Sequence, residues 1–397
     1  MGSAEQRRRW QRLLLAAASL ALSVVAAELL LRAIAPAPPG FRVWPPHLDW
    51  TFHPAPDVMP GVSGASRFST NGLGLRGDEW SSSDSYRILA IGGSTTESLY
   101  LDDREAWPRL LQDRLNAARG GSEVWVGNAG KSGLSSRHHV IQVMRLLEQH
   151  PVDAVVVLAG VNDLHNRLSH DTAFLPIDQE PKREFRRLYL TAFSMWPARP
   201  APIWEPVALQ RRWARAHQRL ERPEHVTQDD AGRNYVRWRR HRQQASTLRS
   251  ELPDLGPALL EYARNLHTIV DLAERHSVRL VLATQPVMWH AGLSSGERAL
   301  LWLGGVGAFQ SEPGHEYYTV EALADGMASY NSVLLQVCAA RGLDCADLAA
   351  ALPRDSSVFY DDCHLNEGGA RQVADLLADH FRQSGLLLTS ATAARGG

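Results

Sequence analysis

Asp153-Ala154-Val155-Val156-Val157-Leu158-Ala159 is a continuous apolar run that stops at Gly160-Val161-Asn162-Asp163. A strand wetted on one face alternates apolar and polar residues. A run without alternation needs cover on both faces, as in a parallel sheet sandwiched between helices. Further runs at Tyr86–Ile91, Glu123–Val126 and Val278–Thr284 repeat the pattern, each leading through a turn or loop toward a segment with helical spacing. Strands alternating with helices imply a parallel sheet with right-handed crossovers.

The carboxyl ends of strands in such a sheet are where ligands gather. The first run ends there in Gly92-Gly93-Ser94-Thr95-Thr96, followed by Trp107, Leu110, Leu111 and Leu115 at helical spacing. Two glycines permit a sharp turn and close approach of a ligand. Ser94 then lies at the sheet edge beside the amino end of a helix, where backbone N–H groups favour an anion. A Gly-Gly-Ser turn alone is a weak signal, and its default reading is a structural serine that caps a helix. A catalytic reading needs a base, an orienting acid and oxyanion donors as well.

The second run, Glu123-Val124-Trp125-Val126-Gly127, opens into another glycine-rich turn, Asn128-Ala129-Gly130-Lys131-Ser132-Gly133, before a helix over about 135–150. A helix near Pro257–Arg275 precedes the strand at 278–284. A long helix at about Thr319–Arg341 leads to a short last strand near Asp344–Leu348. Residues 291–315 are a glycine-rich loop, a candidate second wall of the cleft.

The ends of the chain read differently. Arg7, Arg8, Arg9 and Arg12 precede Leu13–Ala27, which is small or apolar apart from Ser19 and Ser23; Glu28 interrupts, Leu29–Leu31 resumes and Arg32 follows. A basic flank and about 20 mainly apolar residues suit one membrane-spanning helix with its arginines in the cytoplasm. A signal peptide cut after Val25-Ala26-Ala27 and a buried soluble helix are the competing readings. The first two put the body of the protein outside the cytoplasm. The expected organisation is a tail and anchor over 1–34, a proline-rich spacer over 35–67, a catalytic domain over 68–385 and a flexible tail over 386–397.

The stretch 165–255 reads as an insertion. Residues 180–250 hold 16 Lys and Arg against 7 Asp and Glu, with Trp196, Trp204, Trp213 and Trp238. A helical cap packed on the core is one role. A lid for anionic glycans or lipid headgroups is another. A net charge of -1 gives no global sign of nucleic-acid binding. The three cysteines, Cys338, Cys345 and Cys363, exclude a disulfide scaffold and show no zinc-site spacing. Cys338 and Cys345 flank one turn and are candidates to pair in an oxidising compartment.

The remaining chemistry is in Phe359-Tyr360-Asp361-Asp362-Cys363-His364-Leu365-Asn366. Asp361 and His364 are three apart, which places them on one face of a helix or turn. The carboxylate can accept from one ring nitrogen and leave the other to take a proton from a serine. Asp362, two residues from His364, points elsewhere. Cys363 has no second base. Asn366 is a candidate cap for the following helix.

Together these four stretches resemble the four sequence blocks of the SGNH, or GDSL-type, hydrolases, over about 68–164 and 256–382. Gly92–Thr96 is similar to the nucleophile block, with Gly93 where the eponymous motif has aspartate. Asn128–Gly133 is similar to the glycine block, Gly160–Asp163 to the asparagine block and Asp361–His364 to the acid–base block. The Asn71…Arg76 lead-in and Glu97–Leu115 resemble membrane-anchored members. The resemblance implies an α/β fold, a three-layer α/β/α sandwich with a flavodoxin-like parallel sheet of about five strands, here with a helical insertion. It implies Ser94 as nucleophile, His364 as base and Asp361 as its orienter. The oxyanion donors would be the Ser94 and Gly133 N–H groups and the Asn162 amide, with Gly130 an alternative to Gly133. The α/β-hydrolase elbow Gly-x-Ser-x-Gly is absent, because Thr96 occupies its last position.

The expected function is a membrane-anchored serine esterase of the periplasmic side of the inner membrane. It would remove O-acyl groups, O-acetyl foremost, from a cell-envelope or other glycan, or from a small ester. No metal, cofactor or nucleic acid enters that chemistry. An O-acyltransferase with the same triad and a non-catalytic glycan-binding protein are the alternatives.

Overall fold

In the computed structural model the first segment is a single helix, α1 (Gly2–Ile34). The described residues are 2–34, 40–80, 85–117, 123–177, 182–197, 209 and 232–385. Among them α1 alone is long and apolar enough to cross a membrane, with a mean hydropathy of 2.3 within Gln6–Ala33. At about 1.5 Å per residue it exceeds the roughly 30 Å of a bilayer's hydrocarbon core. Leu13, Leu14, Leu15, Leu20 and Leu22 all point outward. Glu28, the acidic interruption, pairs with Arg32 one turn later at 2.8 Å. This helix belongs to one compact unit, Met1–Phe41 with Met195–Val226; the other is Arg42–Ser194 with Thr227–Gly397.

The second unit begins earlier than the expected catalytic domain. Residues 42–67, read from sequence as spacer, are folded into it. A hairpin of β1 (Asp49–Phe52) and β2 (Ser66–Ser69) pairs Trp50 with Phe68. Val43, Trp44, Phe52, Met59 and Val62 are buried. The prolines set the path, but apolar side chains between them supply the burial that holds it down.

The chain then alternates as the sequence predicts: β3 (Tyr86–Gly92), the short α2 (Ser94–Glu97), α3 (Trp107–Ala117), β4 (Val124–Asn128), α4 (Ser136–Gln149), β5 (Ala154–Leu158) and α5 (Val161–His170). After α6 (Lys182–Ala192) the next described elements are α7 (Arg233–Gln243) and the two-residue β6 (Leu248–Arg249). Then come α8 (Gly256–Arg275), β7 (Arg279–Ala283), α9 (Ser295–Leu300), β8 (Tyr317–Tyr318), α10 (Val320–Arg341), α11 (Leu348–Ala351) and α12 (Glu367–Gln383). Thr319 caps α10 and Asn366 caps α12, each accepting from a backbone N–H three residues on.

The central sheet runs β4-β3-β5-β7, and every pairing is parallel. β3, β4 and β5 are buried along their whole length, the burial that their unbroken apolar sequences require. α3 packs with α12; α4 packs with α8 and α6, and α10 with α8. Those two groups of helices are the outer layers. The last strand is reduced to one residue. Ala346 pairs with Ala283, donating to the Leu282 carbonyl at 3.0 Å and accepting from Thr284. Asp347 then turns away to cap α11, so four strands are continuous and the fifth place is a single bridge. The chain leaves β3 for β4 on one side and returns to β5 on the other. The carboxyl end of β3 is therefore the point where strand order reverses, and Ser94 stands there.

Cys338, near the end of α10, and Cys345 are joined by a disulfide, their Cα atoms 6.2 Å apart. Cys363 is free and buried. Trp204, Trp213 and the tail 386–397 lie outside the described residues.

Candidate active site

Gly92 and Gly93 make the turn from β3 into α2 possible by what they lack. A Cβ on Gly92 would fall 2.1 Å from the Thr96 hydroxyl, and one on Gly93 would fall 2.5 Å from Asn162 Nδ2. Ser94 opens α2, half-buried. Its Oγ is 2.8 Å from His364 Nε2. Two residues 270 apart in sequence thus meet at hydrogen-bond distance.

The loop that presents His364 is closed at its base by the Phe359–Leu365 bridge and by Tyr360 N–H donating to the His364 carbonyl at 3.0 Å. Inside it Asp361 forms an Asx turn: Oδ1 accepts from the backbone N–H of Cys363 at 3.0 Å and of His364 at 2.8 Å. The same carboxylate takes His364 Nδ1, at 2.7 Å from Oδ2 and 2.9 Å from Oδ1. Trp302 Nε1 donates to Oδ2 at 2.9 Å. Asp361 is 0 % exposed, so every donor counts.

Burial alone would raise the Asp361 carboxyl, but the His364 charge and these donors outweigh it and hold it below its ordinary value. Burial likewise works against an imidazolium at His364, and Asp361 in contact overcomes it, raising His364 well above 6.5. The pair stabilises the charge that arises when His364 accepts a proton. Asp362 faces away. Its carboxylate accepts from Trp289 Nε1 at 2.8 Å and from the Trp302 and Leu303 N–H groups at 2.7 and 3.1 Å. Burial and the neighbouring Asp361 push it up. Cys363 is raised to about 11 by burial, which keeps it a thiol.

Two of the three expected oxyanion residues meet around one contact. Asn162, at the start of α5, rests against Gly93 in the turn that carries Ser94, and donates through Nδ2 to the carbonyl of Leu134, the residue after Gly133, at 2.9 Å. Gly133, with φ +77°, lies in the exposed turn before α4. Among the described residues neither the Ser94 nor the Gly133 N–H has a protein acceptor. Gly130 is placed elsewhere: its N–H is held by the Asn128 side chain at 2.8 Å, and a Cβ on it would fall 2.2 Å from Glu97 N.

Several residues at the site left no sign in the sequence. Tyr360 stacks on the His364 ring, with centroids 5.5 Å apart and planes at 8°. Tyr235 of α7 meets the same ring edge-on at 6.1 Å, and also contacts Trp302, Trp238 and Tyr100. α7 comes from the segment read as an insertion, and its inward face is part of the site wall. Two of its arginines are structural. Arg239 donates to the carbonyls of Leu300 and Tyr360, and Arg242 to those of Leu303 and Tyr318. They bind α7 to the loops carrying Trp302 and His364. Trp302 itself belongs to the glycine-rich region 291–315.

Among the described residues one cluster could hold a metal, Asp361, Cys363 and His364, with ligand atoms within 4.8 Å of one another. An ion there would have to displace the Asp361–His364 bond, so the donor set is already committed.

A sequence model of the GDSL-like lipase/acylhydrolase family matches residues 90–372, from the end of β3 into α12. An arylesterase from Vibrio mimicus is 32% identical over 79 residues, which are 20% of this chain and 38% of that protein. Among solved structures, a lipase/acylhydrolase from Enterococcus faecalis has 16% identity and a TM-score of 0.38, covering 75% of this chain and 96% of that one. An acetylxylan esterase from Geobacillus stearothermophilus has 14% identity and a TM-score of 0.38, covering 78% and 97%. The family match spans the sheet, the turn that carries Ser94 and the loop that carries His364: this chain belongs to the GDSL-like lipase/acylhydrolase family.

Proposed function

We propose that this chain is a serine esterase in which Ser94 is the nucleophile, His364 the general base and then acid, and Asp361 its orienter. The observation that carries the reading is the unbroken line from Ser94 Oγ to His364 Nε2 at 2.8 Å and from His364 Nδ1 to Asp361 at 2.7 Å. Ser94 Oγ attacks the ester carbonyl while its proton passes to His364 Nε2. Asp361 stabilises the imidazolium and fixes the tautomer. The carbonyl electrons move onto oxygen, where the N–H groups of Ser94 and Gly133 and the Asn162 amide receive the charge. Each such donor, aimed in advance, is worth about 3 kcal/mol. His364 then protonates the leaving alcohol, and the acyl group stays on Ser94. Water, deprotonated by His364, attacks the acyl-serine and releases the acid.

The substrate we infer is an O-acyl ester, O-acetyl foremost, of a carbohydrate or cell-envelope component. The leaving alcohol must stand beside His364, where Tyr100, Tyr235 and Trp238 cluster. Aromatic edges and faces suit a sugar ring. α1 supports a single-pass anchor in the plasma membrane, with Arg7, Arg8, Arg9 and Arg12 on the cytoplasmic side. The Cys338–Cys345 disulfide supports a catalytic unit on the oxidising, periplasmic side.

The test is acetate release from acetylated glycans by the full chain in detergent, beside Ser94→Ala. Release by the wild type alone supports the reading. Hydrolysis of small esters with no action on any glycan removes the carbohydrate assignment. Acetyl groups recovered on an added glycan instead of in water would make the protein a transferase.

A further inference from the structure

α2 carries a second polar group one turn beyond Ser94. Glu97 is 1% exposed, and its carboxylate accepts from the hydroxyl of Ser132. Ser132 is the second residue of a turn over Lys131–Leu134, in which Leu134 N–H donates to the Lys131 carbonyl at 3.4 Å. Gly133, with φ +77°, occupies the third position. That angle is the one a type II turn requires there. Type I and type II turns differ by a flip of their central peptide, which here joins Ser132 to Gly133. The flip reverses the direction of the Gly133 N–H. The proposed donor therefore sits on the one peptide of this turn that has two available orientations.

The rest of the loop is held elsewhere. Lys131 N–H donates to the Gly92 carbonyl at 3.2 Å, and Asn128 Nδ2 to the Thr96 carbonyl at 2.8 Å. Asn162 Nδ2 holds the Leu134 carbonyl. These contacts fix both ends of the turn and leave its centre alone. Gly133 gives no steric lock, since a Cβ there would meet nothing within 4 Å. The Ser132 hydroxyl is the side-chain contact at the centre, and it reaches the helix that begins with Ser94. The backbone of Glu97 is fixed separately, by the buried Arg76, whose guanidinium donates to the Glu97 and Ser98 carbonyls at 2.7 and 2.6 Å; the Glu97 carboxylate adds to the negative charge around that guanidinium.

We propose that Glu97 is a positioning residue for the oxyanion site. By holding the Ser132 hydroxyl it selects the turn in which the Gly133 N–H faces the same point as the Ser94 N–H and the Asn162 amide. The proposal rests on the catalytic reading above and adds a residue one helical turn from the nucleophile.

The experiment compares the full chain with Ser132→Ala, Glu97→Ala, Glu97→Gln, the Ser132/Glu97 double alanine variant and Ser94→Ala. The readouts are hydrolysis of a chromogenic acetate ester and inhibition by a short alkylboronate, whose tetrahedral serine adduct needs the same donors. Ser132→Ala and Glu97→Ala are expected to lower kcat about 10- to 100-fold with little change in KM. The alkylboronate inhibition constant should weaken by the same factor as kcat/KM. The double variant should be no worse than the poorer single one, because both remove one contact. Glu97→Gln should recover most of the activity, since its amide oxygen still accepts from Ser132.

A raised KM at constant kcat, an unchanged inhibition constant, or effects that multiply in the double variant would overturn the proposal. If Glu97→Ala fails to fold, Ser132→Ala, which removes one exposed hydroxyl oxygen, decides alone. Loss of activity in Ser94→Ala with wild-type kcat in Ser132→Ala sinks this proposal and leaves the catalytic reading intact. Retained activity in Ser94→Ala sinks that reading itself.

Discussion

Trp302 Nε1 donates to Asp361 Oδ2 at 2.9 Å from a loop 59 residues earlier in the chain. The indole occupies a carboxylate lone pair that His364 leaves open, and it fixes the plane in which His364 is held. Replacing it removes one hydrogen bond to a buried charge, an interaction of roughly 1.5–3 kcal/mol. Trp302→Phe should therefore lower kcat/KM about tenfold on a small ester. Trp289→Phe is the control. Its indole serves Asp362 instead, and the expected effect is a lower melting temperature with kcat/KM close to wild type.

The pH profile tests the Asp361–His364 couple. The proposed base must be neutral to take the Ser94 proton, and Asp361 raises His364 well above the ordinary 6.5. The acid limb of kcat/KM should then have its midpoint above that value, with activity lost as pH falls through it. Asp361→Asn removes the charge that raises His364, so the midpoint should move to lower pH. The maximal rate should drop by about 10⁴, as loss of the orienting carboxylate does in serine triads. Asp362→Asn should move the midpoint less than Asp361→Asn does, since Asp362 makes no hydrogen bond with the imidazole. An acid limb unmoved in Asp361→Asn would contradict the couple.

Asn162 links two parts of the proposed oxyanion site. Its Nδ2 donates to the Leu134 carbonyl and rests against Gly93. Asn162→Ala should reduce kcat by about 10²–10³ with KM little changed, the cost of one oxyanion donor. Steady-state kinetics on a chromogenic acetate checks the split. A rise in KM alone would assign Asn162 to binding.

Arg76 is predicted to matter for stability rather than chemistry. It is 3% exposed and pairs with Asp103 at 2.8 Å. It also donates to the carbonyls of Arg67, Glu97, Ser98 and Leu101. Burial lowers its pKa and the neighbouring carboxylates oppose that, so the ion pair is held inside the fold. Arg76→Ala removes the cation that pairs with Asp103 and one donor from each of four carbonyls. It should destabilise the second unit by about 3–5 kcal/mol, read by thermal denaturation.

What the sequence revealed and what it hid divide along physical lines. β3, β4, β5 and β7 were legible because buried parallel strands are unbroken apolar runs, and because the glycines that end them serve local geometry. Asp361 and His364 were legible for the same reason: one tight loop holds both. The hairpin over 49–69 was obscured by its prolines, although Asp49-Trp50-Thr51-Phe52 carries an alternating signal. The last strand was overread, because its residues suit a strand but Asp347 leaves the sheet to cap a helix. Tyr235 and Trp302 could not be found. Their approach to His364 depends on how α7 and the 291–315 loop fold back, and no local pattern encodes that. The arginine excess of the insertion left both a packed cap and a lid open; Arg239 and Arg242 satisfy backbone carbonyls inside the wall, a use that a count of charges does not reveal.

The central claim is that Ser94 is the nucleophile. Its most direct measurement is hydrolysis of a chromogenic acetate ester by the full chain in detergent, beside Ser94→Ala shown by its melting curve to be equally folded. Activity in the wild type and loss of it by a factor of about 10⁴ or more in the variant is the predicted result. Equal activity in the two proteins would contradict it.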